Sequence, residues 1–104
     1  MTELSLCMIV KNEEERLARC LSSVQGAVDE IIILDTGSTD GTKDVASRFT
    51  QRVYDYAWDD DFSAARNASF AYATRPFILW LDADDVMERS EREKLMALKA
   101  RLTA

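Results

Sequence analysis

The stretch "EIIILDTGSTDGT", residues 30–42, decides the predicted fold. Four consecutive apolar residues lead into Asp35, and a turn rich in Gly, Ser and Thr follows. A short unbroken apolar run is typical of a strand that is buried on both faces of a parallel sheet. Gly37 suits the turn and Asp40 suits a helix cap. The stretch therefore predicts a strand, a turn and a helix.

Three further segments are predicted as strands. Two of them, "LSLCMIV" at 4–10 and "FILWLD" at 77–82, are mostly apolar with little alternation, which predicts burial on both faces. The third, "RVYDYAW" at 52–58, alternates and suits an edge strand.

Helices are predicted between and after these strands from caps and apolar stripes. The predicted starts are Asn12 with Glu15, Asp40, Ser63, and Ser90 with Glu93. The predicted inward-facing residues are Leu17, Cys20, Leu21 and Val24, then Val45, Ala46 and Phe49, then Ala65, Ala68 and Tyr72, and finally Leu95, Leu98 and Leu102. Strands that alternate with helices predict right-handed crossovers and a parallel sheet with helices on its faces.

The composition is that of one acidic globular domain. The 104 residues are 47% hydrophobic and 31% charged, which is enough for one modest core. The net charge of −6 argues against nonspecific binding of nucleic acid, which depends on Lys and Arg. No apolar run approaches the ~20 residues of a membrane helix. The start "MTELSLCMIVKNEE" lacks the features of a secretory signal, so we expect a cytoplasmic protein.

The residue types restrict which metal the chain can hold. There is no His, and the spacing of Cys7 and Cys20 fits no metal or redox motif. We expect both cysteines to be reduced thiols in the core. Oxygen ligands then favour Mg²⁺ or Mn²⁺ over Zn²⁺.

Polar residues follow every predicted strand. The four segments are "KNEE", "DTGSTDGT", "DDDFSAARN" and "DADD". In a parallel sheet these ends share one edge, and ligands bind there at the switch point in strand order. A plain strand-turn-helix connection explains Gly37 and Asp40 but leaves Asp35 unexplained. Asp35 is suited to accept a hydrogen bond from a sugar hydroxyl or a base N–H.

The "DADD" at 82–85 indicates a metal site, with a solvated turn as the alternative. Carboxylates held this close repel one another unless a cation is bound. Mg²⁺ uses one or two protein carboxylates and takes further ligands from substrate phosphates. The motif at a strand end therefore suits a metal that holds a diphosphate leaving group.

The "DDDFSAARN" at 59–67 adds a cation and two aromatic neighbours. Arg66 is predicted to contact a diphosphate or a nearby carboxylate, with an ordinary surface position as the alternative. Trp58 and Phe62 are predicted to be core residues rather than a stacking platform for a base, although Trp58 is left open.

Several other nucleotide and metal motifs are absent from the sequence. There is no P-loop and no dinucleotide-binding fingerprint. "DADDVM" fails as an EF-hand because Val86 and Met87 stand at the fifth and sixth positions. "DTGST" resembles a phosphatase loop, but Gly37 replaces its second Asp.

Four motifs in this order resemble the family 2 glycosyltransferases, which have the GT-A fold. They are "CMIVKNEE", "DEIIILDTGSTDGT", "DDDFSAARN" and "FILWLDADD", and together they span Leu4 to about Val86. The resemblance implies an α/β, Rossmann-like half-domain with a mostly parallel four-stranded sheet in the order 3-2-1-4 and helices on both faces. It also implies that residues 1–104 are a single truncated donor-binding domain.

The resemblance implies that a nucleoside-diphosphate sugar contacts the strand ends. The substrate-binding residues would be Asn12, Glu13, Asp35, Asp61, Arg66 and Asp82. Asp35 would bind the base or ribose, and Asp82 the ribose or donor sugar. Asp84, together with Asp82, would ligate Mg²⁺ or Mn²⁺, whereas Asp85 would only support the loop.

The other implied contacts surround the nucleotide. Asn12 and Glu13 would lie beside it, with Glu13 near the base or ribose. Asp60 or Asp61 would lie near the base. Arg66 would face the pyrophosphate or help to order the acidic loops.

The implied activity is inverting transfer from a nucleoside-diphosphate sugar, preferably a UDP-sugar. The family's domain is considerably longer, and its second half supplies the acceptor site and the general base. No candidate base follows Asp85, so no catalytic residue is assigned. The alternatives are a binding module without turnover, or one whose base comes from another chain. A nucleotidyltransferase or phosphatase-like protein is disfavoured by the missing basic nucleotide loop. An uncovered sheet edge or face would favour a homodimer.

Overall fold

Strands and helices alternate in the structure, a computed structural model that describes residues 3–101. The strands are β1 (Leu4–Val10), β2 (Glu30–Asp35), β3 (Val53–Asp55) and β4 (Phe77–Trp80). The helices are α1 (Glu14–Val24), α2 (Thr42–Ser47), α3 (Phe62–Tyr72) and α4 (Arg89–Arg101). The strands form one parallel sheet in the order β3-β2-β1-β4. The predicted α/β class and strand order are confirmed.

Helices cover both faces of the sheet, as predicted. On one face, α1 and α2 pack on side chains of β1 and β2, which form the main core with Leu6, Met8, Val10 and Ile33. On the other face α3 packs on β1 and β2, and the Cys7 thiol donates a hydrogen bond to the Ser69 carbonyl at 3.7 Å. Successive side chains of β1 point to opposite faces, so this strand contributes to the packing on both sides of the sheet.

The ends of β1 and β2 lie level with one another. Val10 pairs with Asp35, and Asp35 pairs with Asp55 on β3. β1 connects to β2 on one side and β4 lies on its other side, so the strand order switches at β1. The loops after β1 and β2 therefore open into the crevice where parallel sheets bind ligands.

Two helices, α1 and α3, begin away from their predicted starts. Glu13 occupies the position before α1, so Asn12 is not its cap. Asp61 caps α3 by accepting a hydrogen bond from the Ala64 N–H at 2.9 Å, ahead of the predicted Ser63. A carboxylate at a helix N-terminus also gains from the helix dipole, which favours the earlier start.

The helices α2 and α4 differ from the prediction in smaller ways. The Asp40 side chain accepts a hydrogen bond from the Thr42 N–H at 3.0 Å, although Gly41 occupies the position before the helix. At α4 the Glu91 carboxylate accepts from the Glu88 N–H at 3.4 Å, and the helix already begins at Arg89. The helix therefore begins before Ser90, and the predicted capping box of Ser90 and Glu93 is wrong.

The predicted inward stripe of α4 is wrong at its centre. Leu98 is 49% exposed, whereas Lys99 is only 2% exposed. The ammonium of Lys99 donates to the Ala27 carbonyl at 2.9 Å and to the Asp29 carboxylate at 2.8 Å. These two bonds compensate for burial of the charge, and they rotate Leu98 outward. Leu102 lies outside the described residues.

The other helices follow their predicted stripes with one exception. The four inward residues predicted for α1 are buried, as are Val45 and Ala46 of α2, and Phe49 packs against the same core. In α3, Ala65 is buried but Tyr72 is 37% exposed. Tyr72 instead stacks on Tyr54 at a centroid distance of 3.8 Å.

Both outer strands are shorter than predicted. β3 has three residues and lies at an edge of the sheet, as its alternating pattern indicates. β4 occupies the other edge and is incompletely covered, because Ile78 is 40% exposed. The prediction that this run is buried on both faces is wrong, since α3 packs mainly on β1 and β2.

None of the helices in residues 3–101 combines the length and the apolar character that crossing a bilayer demands.

Candidate functional site

Hydrogen bonds join the loop after β1 to the loop after β2. The Asn12 N–H donates to the Ser38 hydroxyl at 2.9 Å, and the Asn12 side-chain oxygen accepts from the Thr39 N–H at 2.8 Å. The Glu13 N–H donates to the Thr42 hydroxyl at 2.8 Å. Asn12 has a φ of 54°, a conformation that Asn tolerates better than most residues. The sequence pointed to Asn12 as a ligand contact, and the structure adds that it joins the two loops.

Asp35 has one satisfied carboxylate oxygen and one that has no donor. It is 2% exposed, and its Oδ1 accepts from the Gly37 N–H at 2.9 Å and the Ser38 N–H at 2.8 Å. Gly37 has a φ of 110°, which explains the need for glycine in this turn. The Oδ2 atom is buried without a hydrogen-bond partner among the described residues. A buried acceptor left unpaired is costly, so Oδ2 is suited to receive a ligand N–H or O–H.

A cavity of about 270 Å³ lies at these loops. Its lining consists of Ile9, Val10, Lys11, Glu13, Thr36, Trp58 and Phe62. The lining combines apolar and aromatic side chains with a carboxylate, an ammonium and a hydroxyl. Such a cavity can accept a flat, partly polar ring such as a nucleobase.

Phe62 and Trp58 line this cavity and are not core residues. They are 49% and 42% exposed, so the prediction of a core role is wrong. Phe62 also packs edge-to-face on Trp80 at a centroid distance of 6.0 Å. The signal in the sequence was their position, because both flank the run of three aspartates.

The aspartates after β3 mostly make hydrogen bonds within their own turn and to the start of α3. The Trp58 indole N–H donates to the Asp60 carboxylate at 3.1 Å. The Asp59 carboxylate accepts from the Asp61 N–H at 3.3 Å, and Asp61 caps α3. The structure thus uses this cluster to orient Trp58 and to begin α3.

Two of the predicted contact residues, Glu13 and Arg66, differ in their position relative to the cavity. Glu13 lines it, and its carboxylate also accepts a hydrogen bond from the Arg16 Nε at 2.8 Å. Arg66 is exposed on α3 and is not among the residues that line the cavity.

The loop after β4 brings three carboxylates together at the surface. One oxygen from each of Asp82, Asp84 and Asp85 lies within 4.8 Å of the others. The intervening Ala83 is 5% exposed and packs into the core, which directs its neighbours outward. The Asp82 N–H donates to the Asp85 carboxylate at 3.0 Å, and the Asp85 N–H donates to the Asp82 carbonyl at 3.0 Å. Hard oxygen ligands at this spacing fit Mg²⁺ or Mn²⁺.

Cys20 lies beneath these carboxylates. Burial, followed by the charges of Asp85, Asp84 and Asp82, raises the pKa of its thiol to about 11. Burial and the charge of Glu30 raise the pKa of Cys7 to about 11 as well. Both cysteines are unpaired and buried, as predicted for neutral core thiols.

A larger cavity of about 390 Å³ lies at the opposite end of the strands, where β2 begins. Among the residues that line it are Glu30, Arg52 and Arg75. Glu30 and Arg52 already form an ion pair at 2.7 Å, so their charges are largely used within the protein. The smaller cavity, which is lined by Thr36 next to Asp35 in the chain, is therefore the stronger candidate for a ligand.

Known proteins match this chain in sequence and in fold. Residues 5–103 match the family described as glycosyl transferase family 2. A TPR repeat-containing protein of Synechococcus elongatus is 53% identical over 85 residues, which is 82% of this chain and 21% of that protein. The SPbeta prophage-derived glycosyltransferase SunS of Bacillus subtilis is 40% identical over 90 residues, which is 85% of this chain and 21% of that protein.

A solved structure is also similar. It is glucosyl-3-phosphoglycerate synthase from Mycobacterium tuberculosis in complex with Mn²⁺ and UDP-glucose. The TM-score is 0.70 with 25% sequence identity, and the match covers 82% of this chain and 34% of the synthase. The chain thus spans about a fifth of the length of the two curated relatives and about a third of the synthase.

Proposed function

Because the chain belongs to glycosyl transferase family 2, we propose that it binds a nucleoside-diphosphate sugar through a divalent metal. Its four-stranded parallel sheet has the strand order predicted for the GT-A fold. The observation that carries the proposal is the cluster of carboxylate oxygens of Asp82, Asp84 and Asp85 within 4.8 Å of one another. It follows β4, at the carboxyl edge of the sheet that also holds the unpaired Oδ2 of Asp35.

The metal is proposed to be Mg²⁺ or Mn²⁺, held by Asp82 and Asp84. Its chemical contribution is to offset the negative charge of a diphosphate leaving group. Asp85 accepts a hydrogen bond from the Asp82 N–H, which supports its proposed role in holding the loop. The Mn²⁺ and UDP-glucose named for the synthase from M. tuberculosis support this choice of ligand and metal class.

The base is proposed to be uracil, recognised by Asp35. An ionised carboxylate only accepts hydrogen bonds, so its free Oδ2 requires a donor. Uracil and guanine present a ring N–H, whereas cytosine and adenine have an unprotonated ring nitrogen there and donate from their exocyclic amino groups instead. Trp58 and Phe62 supply the apolar side of the adjacent cavity, and aromatic side chains stack well on bases.

The remaining contacts are proposed from the predicted set. Glu13 is proposed to accept from the base or ribose, and Asn12 is proposed to offer its amide N–H₂, since its oxygen is bonded to Thr39. Asp61 is proposed to lie near the base while it also caps α3. Arg66 is proposed to face the diphosphate, which would require it to approach the cavity when the donor binds.

The whole-protein activity is proposed to be inverting sugar transfer, with residues 1–104 as the donor-binding half. Such transfer needs a positioned acceptor and a general base. We assign neither to residues 3–101, because α4 is the single element described after the acidic loop. The alternative proposal is a binding module that holds the donor without turning it over, or one that obtains its base from another chain.

Calorimetry with four nucleoside diphosphates and Mn²⁺ tests the assignment of the base. UDP is expected to bind most tightly, and GDP is the next candidate because it also carries a ring N–H. Asp35→Asn is expected to weaken UDP binding about 10- to 100-fold, since a hydrogen bond to a charged group contributes about 1.5–3 kcal/mol. Asp55→Asn, at the end of the neighbouring strand, is the control and should bind UDP normally. Equal affinity for UDP and CDP, unchanged by Asp35→Asn, would contradict the assignment.

We also propose that the chain forms a homodimer through the outer edge of β4. A parallel edge strand offers unpaired backbone groups, and Ile78 adds exposed apolar surface. Sedimentation velocity is expected to show a dimer that Ile78→Lys converts to a monomer. A wild-type chain that sediments as a monomer at high concentration would contradict this proposal.

A further inference from the structure

We propose that Ser23 on α1 is a positioning residue that holds the acidic loop, residues 82–87, in the geometry that binds a divalent cation. This inference rests on the proposed function, because it assumes that Asp82 and Asp84 are ligands. Ser23 is 64 residues away from Met87 in sequence, and its two recorded hydrogen bonds join backbone groups rather than a carboxylate. Its role is therefore to hold the loop, and no ligand atom is assigned to it.

The Ser23 hydroxyl makes two hydrogen bonds in opposite directions. It donates to the Cys20 carbonyl within α1 at 2.6 Å, and it accepts from the Met87 N–H at 3.0 Å. A hydroxyl that both donates and accepts is fixed in orientation. The C-terminal end of the acidic loop is therefore bonded to α1 through one side chain.

The other end of the loop is bonded to the same turn of α1. The Cys20 thiol donates to the Asp82 carbonyl at 3.6 Å, and Cys20 is fully buried. Between the two ends, Ala83 packs into the core. The loop is thus hydrogen-bonded to α1 at its start and at its end, and Ala83 anchors it in the core.

This support is needed because the loop carries three like charges close together. Carboxylates at this distance repel one another when no cation lies between them, and the loop must resist spreading before the cation arrives. The bonds between Asp82 and Asp85 hold the turn itself, whereas Ser23 and Cys20 hold it to the rest of the protein. Groups that support metal ligands without touching the metal typically affect affinity strongly.

The adjacent serine provides a matched control. Ser22 and Ser23 are neighbours on the same turn of α1, but Ser22 is exposed. Ser22→Ala and Ser23→Ala remove the same atom and change helix propensity by the same amount. A difference between them therefore reports on the hydrogen bonds of the Ser23 hydroxyl, of which the one from Met87 reaches the acidic loop.

The test is a titration of the protein with Mn²⁺ alone, read from the electron paramagnetic resonance signal of free Mn²⁺. Ser23→Ala is expected to weaken Mn²⁺ binding about 5- to 10-fold, because the Met87 N–H loses its partly buried hydrogen-bond acceptor. Ser22→Ala is expected to bind Mn²⁺ as the wild type does. All variants are measured under conditions in which circular dichroism shows them to be folded.

A second pair of variants separates the bond from general packing. Ser23→Thr keeps the hydroxyl and should bind Mn²⁺ nearly normally, whereas the similarly shaped Ser23→Val should bind as weakly as Ser23→Ala. If Ser23→Val binds as well as Ser23→Thr, or Ser23→Ala as well as Ser22→Ala, the proposal is wrong. If Asp84→Asn also leaves Mn²⁺ binding unchanged, the metal site itself is wrong and the proposed function fails with it.

Discussion

Asp84→Asn is expected to abolish Mn²⁺-dependent binding of UDP, with an affinity loss of at least about 100-fold. Changes to groups that only support a metal ligand typically cost 10- to 100-fold, so the loss of a direct ligand should cost more. Asp84 lies on the exposed turn after β4, and removing its charge also relieves repulsion with Asp82 and Asp85. We therefore expect the variant to be at least as stable as the wild type while it fails to bind.

Isothermal titration of UDP in the presence of Mn²⁺ measures this loss. Asp44→Asn is a control with the same chemical change, because Asp44 is exposed in the first turn of α2. It should leave UDP affinity unchanged. If Asp84→Asn binds UDP as tightly as Asp44→Asn does, the carboxylate cluster is not the metal site.

Glu30→Gln is expected to cause the largest loss of stability, about 2–4 kcal/mol in the free energy of unfolding. The Glu30 carboxylate accepts from the Ser5 hydroxyl at 2.8 Å, from the Thr74 N–H at 2.8 Å and hydroxyl at 2.6 Å, and from Arg52 at 2.7 Å. Its side chain is only 9% exposed. It thereby joins the starts of β1 and β2 to the segments before β3 and β4. A neutral amide would leave Arg52 without its partner and turn one acceptor into a donor.

The same variant gives a pH dependence with a defined sign. Burial alone would raise the pKa of Glu30, but hydrogen bonds from Thr74 and Ser5 and the charge of Arg52 outweigh it and lower the pKa from 4.5 to about 2. Because the pKa is lower in the folded state, the stabilisation is complete above about pH 5 and is lost as the pH falls towards 2. The difference in stability between wild type and Glu30→Gln should therefore shrink over this range.

Chemical denaturation of both proteins between pH 7 and pH 3 measures this difference. Asp55→Asn is the control, because the ion pair of Asp55 with Lys43 is exposed and such pairs contribute little. It should produce no measurable change in stability at any of these pH values. A constant difference between wild type and Glu30→Gln across the series would show that the ionised carboxylate is not the source of the stabilisation.

The sequence predicted the sheet because its strong signals are local. The apolar runs that form β1 and β2 are unbroken, and each is followed by polar turn residues, so their type and their ends were readable. The placement of Asp35 and Asp84 at one edge follows from parallel strands and needs no knowledge of the tertiary contacts.

The prediction failed where a distant partner decides the outcome. Lys99 displaces Leu98 from the inner face of α4 because Asp29 and the Ala27 carbonyl receive its ammonium, and nothing near Lys99 in sequence indicates this. The start of α3 at Asp61 was missed because three consecutive aspartates offer several equivalent caps.

The role of Ser23 was not visible in the sequence for the same reason. Its partner Met87 lies on another element, and Ser22 beside it is chemically identical. The sequence does not reveal the aromatic lining of the cavity, because a large apolar residue such as Phe62 predicts a core position and nothing near Trp58 indicates its bond to Asp60.

The central claim is that a divalent metal joins this chain to a nucleoside diphosphate. It is tested most directly by titrating UDP into the wild-type protein, once with Mn²⁺ and once with EDTA. We predict saturable binding with Mn²⁺ and no detectable binding with EDTA. Binding of UDP with the same affinity in EDTA, or no binding in either condition, would contradict the account.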